Sequence, residues 1–170
     1  MNETWAAPDG TVVTLRPIRA ADLALEEEFV KRLSPQTGYR RLMSTRRPSA
    51  AELRRFTDID HAREMAFIAT IVVAGGERQI GVARYAKREA DDDEAEFAIV
   101  LSDDWQGRGL GTALLGKLVQ AAKRHGVRRL TGTALTENTG MHALARKIGF
   151  HVALNPASAT ISDLSLDLGR

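Results

Sequence analysis

The sequence predicts one mixed α/β domain, a sheet flanked by helices, on three observations. First, strand-length apolar runs and amphipathic stretches alternate as strand, two helices, three strands, helix, strand, helix, two strands. Second, a glycine-rich stretch, Gln106-Gly107-Arg108-Gly109-Leu110-Gly111-Thr112, stands where a strand stops and a helix starts. Third, 170 residues with 44% apolar and 27% charged side chains are ordinary globular material, enough for one substantial core. No repeat, low-complexity tract or interdomain linker breaks the chain, so residues 1–170 read as a single domain.

In order, Asp9-Gly10 is a turn signal, and Thr11 to Ile18 reads as a strand with Pro17 at an edge or end. Asp22 opens a helix through Leu23, Leu25, Phe29, Val30 and Leu33 that stops before Ser34-Pro35. Ser34 to Pro48 is irregular and basic, with Tyr39-Arg40-Arg41 and Arg46-Arg47. It is either a solvated loop or a surface for an acidic group. Ser49 is an N-cap for a helix from Ala50 to about Phe56. Met65 to Val73 is a continuous apolar strand, Gly75-Gly76 turns it back, and Gln79 to Lys87 is the next strand. Ala95 to Leu101 is a central strand delivering the glycine loop. Leu110, Leu114, Leu118, Ala121 and Ala122 then recur at helical spacing to His125, with Lys117 facing elsewhere and Gly126 closing the helix. Val127 to Leu135 is a strand, Asn138 opens the last helix, and Gly149 ends it. Phe150 to Leu154 and Thr160 to Leu168 are final extended pieces.

Several functions are set aside by composition. A net charge of +2 makes no case for nucleic acid or a membrane surface, and aromatics are only 5%. There is no cysteine, so disulfides, thiolate metal sites and cysteine nucleophiles are excluded. No run approaches membrane-span length, and the first residues lack a secretory pattern, so a cytoplasmic protein is expected. Asp91-Asp92-Asp93-Glu94 lacks the alternate spacing and glycine of a calcium loop and reads as a solvated hairpin tip, so no metal is expected. His125 and His142 read as surface residues on helices, neither with an acid at triad spacing.

Open N–H groups and the positive end of the helix dipole make the glycine loop an anion cradle. It is not a mononucleotide P-loop, because Gly-Leu-Gly-Thr replaces Gly-Lys-Ser/Thr. The dinucleotide pattern fails too, since Leu114 stands near its third glycine and the loop comes two-thirds along the chain. Gln106-x-x-Gly109-x-Gly111 instead resembles the pyrophosphate loop of the GCN5-related N-acetyltransferases (GNAT), which bind acetyl-CoA. Asn138 with Lys147-Ile148-Gly149-Phe150 resembles that family's C-terminal motif. Gly10 to Ile18, Tyr39-Arg40-Arg41, Ile59 to Ala66 and Gly140 to Lys147 are similar to the catalytic domain of bacterial Pat-type protein lysine acetyltransferases. The resemblance covers essentially the whole chain. It implies a mixed, mostly antiparallel sheet of about seven strands with about four helices, splayed at its central strands.

The resemblance also implies roles. Amides from Gly107 through Arg108, Gly109, Leu110 and Gly111 to Thr112, with Gln106, would hold the pyrophosphate of CoA. The strand backbone at Ile99, Val100 and Leu101 would hold the pantetheine, with the Ile99 amide polarising the thioester carbonyl. Asn138 is a cofactor contact or simply a helix cap. An amine with an ordinary pKa near 10.4 must lose a proton before attack, which calls for a general base. Glu96 matches the catalytic glutamate of the resembled branch; its plain structural role would be an exposed strand glutamate. Glu64 is the reserve, with a cation partner the commoner reason for its presence. Ala145 stands where many family members carry an acidic tyrosine, as it does in the resembled branch. The implied acceptor is a protein lysine, with an acyl-CoA synthetase as the partner class. A small-molecule amine acetyltransferase and a non-catalytic acyl-CoA sensor are the other readings.

Overall fold

The computed structural model describes residues 2–37 and 48–169. One sheet holds eight strands: β1 (Glu3–Ala6), β2 (Val12–Pro17), β3 (Glu64–Val73), β4 (Gly76–Lys87), β5 (Glu94–Leu101), β6 (Arg129–Leu135), β7 (His151–Asn155) and β8 (Ser158–Asp167). Their spatial order is β1-β2-β3-β4-β5-β6-β8-β7, and every neighbouring pair is antiparallel except β5 with β6. Four complete α-helices lie among the described residues: α1 (Leu23–Arg32), α2 (Ala50–Thr57), α3 (Leu110–Arg124) and α4 (Thr139–Ile148). Two short 3-10 turns precede α1 and α3. Among the described residues no helix is long and apolar enough to cross a membrane.

Strand alternation sends side chains to two cores. Leu15, Phe67, Ala69, Ala83, Tyr85 and Phe97 meet Leu110, Leu114, Leu118 and Ala121 of α3 on one face. Ile68, Val82 and Val100 meet Phe29 and Val30 of α1 and Leu53 of α2 on the other. Local chemistry sets the ends of the helices. Ser49 accepts from the Glu52 amide while Glu52 returns a bond to the Ser49 amide, a reciprocal capping box. At the end of α3, Val127 N–H donates to Ala122 O and Gly126 N–H to Lys123 O, with Gly126 at φ +79°.

The structure departs from the sequence expectation at several points. There are eight strands rather than seven: β1 is a four-residue edge strand without alternation, recognisable only through its pairing with Val12 to Leu15. Pro17 ends β2 as expected, paired with Phe67 of β3 and beyond the last β1 pair at Leu15. The β3–β4 turn centres on Ala74 (φ +51°) and Gly75 (φ +81°), the two positive φ values of a tight hairpin turn, so β4 starts at Gly76 rather than Gln79. Val127 belongs to the end of α3, and the ladder of β6 starts at Arg129.

Two charged residues also differ. Asp22 stands at the start of α1 as expected, but its carboxylate caps no α1 amide and instead takes both terminal nitrogens of Arg16 at 2.8 and 2.9 Å and the Arg19 amide at 2.7 Å. Arg16 is 5% exposed and also bonds Glu77 at 3.1 Å, so the pair is neutralised inside the fold. Lys117 falls three residues after Leu114, on the buried stripe of α3. It is 7% exposed, pairs with Glu3 of β1 and lies 4.9 Å from the centre of the Phe67 ring.

Candidate active site

The site begins where the sheet comes apart. β5 pairs with β6 only at Glu94–Arg129, Ala95–Leu130 and Glu96–Thr131. Beyond Glu96 the two strands part, while β5 stays paired with β4 through Leu101. Ser102 N–H donates to Ile80 O at 2.8 Å, which fixes the phase of the antiparallel ladder. Ser102, Val100, Ala98 and Glu96 therefore direct their backbone bonds to β4, and the alternates Leu101 and Ile99 direct theirs toward the opening. Gln106 Nε2 reaches into that opening and donates to Leu101 O at 3.1 Å. The backbone of Ile99 is left facing a cleft of about 580 Å³, a size suited to a small organic ligand.

The glycine loop closes one end of the cleft, and its glycines do different work. Gly107 (φ +75°) and Gly109 (φ +94°) adopt backbone shapes that a side chain would strain. Gly109 is the N-cap of α3, and no side chain caps its first-turn amides. They remain available to an anion, with the helix dipole behind them. Gly111 has ordinary φ, but a Cβ there would lie 3.1 Å from Leu144 Cδ2 and 3.5 Å from Leu101 Cδ1. Its lack of a side chain lets α3 and α4 approach across the cleft. Arg108 turns away, 3.7 Å from Asp9 and stacked 4.4 Å from the centre of the Trp105 ring, so it offers its amide rather than its guanidinium. Leu110 is fully buried in the core; Thr112 lines the cleft.

Helix α4 forms the opposite wall. Gly140, Met141, Ala143, Leu144 and Lys147 line it at helical spacing. Asn138 also lines it, and its Oδ1 accepts from the Met141 amide at 3.2 Å, so the helix-cap role is the one observed. Thr133, Ala134 and Leu164 form the floor, and Phe97 lines the cleft where β5 and β6 part. Val100 touches the cleft by its backbone, while its side chain sits in the core under α1 and α2. Thr37 borders the cleft and accepts from Gln106 Nε2 at 3.4 Å. Tyr39, Arg40, Arg41, Arg46 and Arg47 lie outside the described residues.

Glu96 is exposed at the point where the strands part, between Ala86 on β4 and Thr131 on β6. Glu64 is engaged elsewhere. Its carboxylate holds Arg55 through both oxygens, one at 2.8 Å, and accepts the Asp60 amide at 3.0 Å. Burial alone would raise its pKa, but these bonds and the Arg55 charge outweigh it and hold the carboxyl below its usual range. A carboxylate so committed is a poor proton acceptor. Arg63, its sequence neighbour, pairs with Asp60 instead. His125 is exposed at the end of α3, as expected, and its Nδ1 lies 2.9 Å from the Tyr85 hydroxyl; burial pushes that phenol up to about 12. Ala145 is fully buried, so the helix offers no acid at that position. Among the described residues no cluster of three metal-ligating side chains occurs.

Sequence reasoning missed part of the cleft. Lys147 and Met141 fall on the stripe of α4 that begins at Asn138, so helical periodicity could have found them. Thr133, Ala134 and Leu164 had no such signal, because only the parting of β5 from β6 exposes them.

The family model described as an acetyltransferase (GNAT) domain matches residues 13–151. An acetyltransferase of Pseudomonas aeruginosa is 34% identical over 153 residues, covering 89% of this chain and 82% of that protein. The acetyltransferase Pat of Mycolicibacterium smegmatis is 32% identical over 79% of this chain, which spans only 40% of that relative's length. Among solved structures, the GNAT domain of S. lividans PAT superposes with a TM-score of 0.87 at 26% identity, covering 98% and 96% of the two chains. A phosphinothricin acetyltransferase of Sinorhizobium meliloti, solved with acetyl-CoA, gives 0.74 at 27% identity over 92% and 89%. With its splayed sheet, open glycine loop and near full-length matches, the chain belongs to the GNAT family of acetyltransferases, close to the Pat-type catalytic domain, and is an acyltransferase.

Proposed function

We propose that this protein transfers the acetyl group of acetyl-CoA to a lysine ε-amine of a protein in the cytoplasm, with an acyl-CoA synthetase as the acceptor class and residues 1–170 acting as one GNAT domain. The observation that carries the reading is the line of cleft-lining backbone from the glycine loop at the start of α3 to Leu101 and Ile99, with Glu96 exposed just beyond its end, where the sheet divides. The likeness to two Pat-type proteins supports a protein acceptor.

The donor is a thioester, which supplies an activated acyl carbon. Amides of Gly107 to Thr112 bind its pyrophosphate, and the Ile99 amide faces the place for a carbonyl oxygen. Glu96 accepts a proton from the incoming amine, directly or through water, so that the nitrogen lone pair is free. The C–N bond then forms, the C–S bond breaks, the new amide nitrogen gives up its second proton to solvent, and the thiolate leaves to take one from solvent. Ala145 offers no acid for that last step, and a thiolate is a good enough leaving group to do without one.

The likeness to the phosphinothricin acetyltransferase favours a second reading, transfer to a small amine. One experiment separates the two. Acetyl-CoA is mixed with a purified acyl-CoA synthetase, CoA release is followed, and acetyl-lysine is mapped by mass spectrometry for the parent and for Glu96→Ala. Acetyl-lysine with the parent, and loss of about 10²-fold or more in the variant with acetyl-CoA still bound, supports the proposal. Tight acetyl-CoA binding without protein acetylation sinks the synthetase acceptor and favours the small amine.

A further inference from the structure

We infer that Phe97 is the end wall of the acyl site and restricts the donor to short acyl groups. This rests on the proposed acetyl-CoA reading of the cleft. Phe97 is the last β5 residue lining the cleft before the strands close, one residue past the final β5–β6 pair at Glu96–Thr131. Its side chain projects on the same face as Ile99, two residues along, or about 7 Å by strand rise. A carbonyl held at the Ile99 amide leaves room within that span for a methyl group, and a longer chain continuing along the strand meets the ring.

The ring is clamped in place. It is 5% exposed, and its centroid lies 4.7 Å from that of Phe150 with the planes tilted by 42°. It also meets Gly132 of β6, where a Cβ would stand 2.6 Å from ring Cε1. The ring thus lies directly on the backbone of β6, in space that only glycine leaves. Packed against both Phe150 and the backbone at Gly132, and almost fully buried, the ring is held as a fixed wall. Removing ring atoms opens volume continuous with the cleft instead of a sealed void.

The test is calorimetric binding of CoA, acetyl-CoA and butyryl-CoA to the parent, Phe97→Leu and Phe97→Ala. A site closed by a rigid wall discriminates by about tenfold or more against two extra methylenes. The parent is expected to bind acetyl-CoA at least about tenfold tighter than butyryl-CoA. In Phe97→Ala that ratio falls to about one or inverts, and Phe97→Leu lies between, while free CoA changes less than about threefold. Free CoA also reports folding, and Phe97→Leu, which keeps most of the apolar bulk, carries the comparison if the alanine variant does not fold. A parent that binds both thioesters equally, or variants that hold CoA and keep the parental ratio, overturns the assignment. A parent that binds no CoA at all removes the cofactor reading, and the acyl wall falls with it.

Discussion

Gly109→Ala is the sharpest test of the anion cradle. Gly109 sits at φ +94° and ψ −7° as the N-cap of α3, well beyond the small left-handed region open to alanine. Holding an alanine there costs about 1–3 kcal/mol. The new Cβ also lies 3.4 Å from Trp5 Cζ2, ordinary contact, so crowding adds little and backbone strain dominates. The loop relieves that strain by rotating its peptide units, which turns amides away from the point where they converge. Each hydrogen bond to a charged phosphate contributes about 1.5–3 kcal/mol. Losing one or two of them lowers CoA affinity by about 10- to 10⁴-fold. Isothermal titration with CoA and with pantetheine, which lacks the pyrophosphate, reads the effect. CoA should weaken by that factor while pantetheine changes little. Unchanged CoA affinity in the folded variant, or an equal loss for both ligands, would refute the assignment of these amides to a phosphate.

Four further outcomes are expected. Lys147→Ala, which removes an exposed cation from the cleft wall, should weaken CoA binding several-fold at low ionic strength, with the difference shrinking toward 1 M salt as screening takes over. Asp22→Asn leaves Arg16 buried with only Glu77 as a carboxylate partner, so urea unfolding should show a loss of about 3–5 kcal/mol. Lys117→Met keeps the apolar stem against Phe67 and removes a buried charge; its Tm should match or exceed the parent's. Stability should also fall in acid. Glu77 is held below its usual value of 4.5 by Arg16, and in Asp22 the bonds from Arg16 and the Arg19 amide outweigh burial and hold it below 3.8. The unfolded chain therefore binds more protons than the native one. The stabilisation is complete above those ordinary values and is lost as pH drops through the lower native ones. A denaturation midpoint in urea that stays flat from pH 5 to about pH 2 would contradict this.

The sequence showed the helices better than the strands, for a physical reason. A helix carries its signals locally, and Ser49, Gly126, Asn138 and Gly149 each mark an end that the structure confirms. Strands are defined by partners far along the chain. β1 is invisible until Val12 to Leu15 pairs with it, and Lys117 looked solvated until Glu3 of that strand gave it a partner. The loop was legible because its glycines are a backbone requirement written into the residues. The splay at the central strands was expected from the family resemblance alone; the lining from β6 and β8 was not legible, since it follows from β5 and β6 parting after three pairs, and no residue type encodes that. Glu64 has the cation partner expected of it, but that the cation is Arg55 of α2, nine residues away, rather than its neighbour Arg63 was not legible.

The three-pair seam between β5 and β6 also bears on how the chain folds and breathes. β1 to β5 form a run of sequential antiparallel neighbours, and β6, β7 and β8 form a second local group. Each can assemble from nearby contacts, which is the fast route for a chain of this size. Docking the two groups is the long-range event, and besides the packing of α3 and α4 it is secured by one short parallel ladder. Amide exchange in the empty protein should therefore show two cooperative units, with the slack between them concentrated at Ile99 and Leu101. A ligand that bonds to those amides would act as a ninth strand bridging the halves. At a hundred times its Kd it would add about 2.7 kcal/mol to a fold whose shortest ladder is also its binding site.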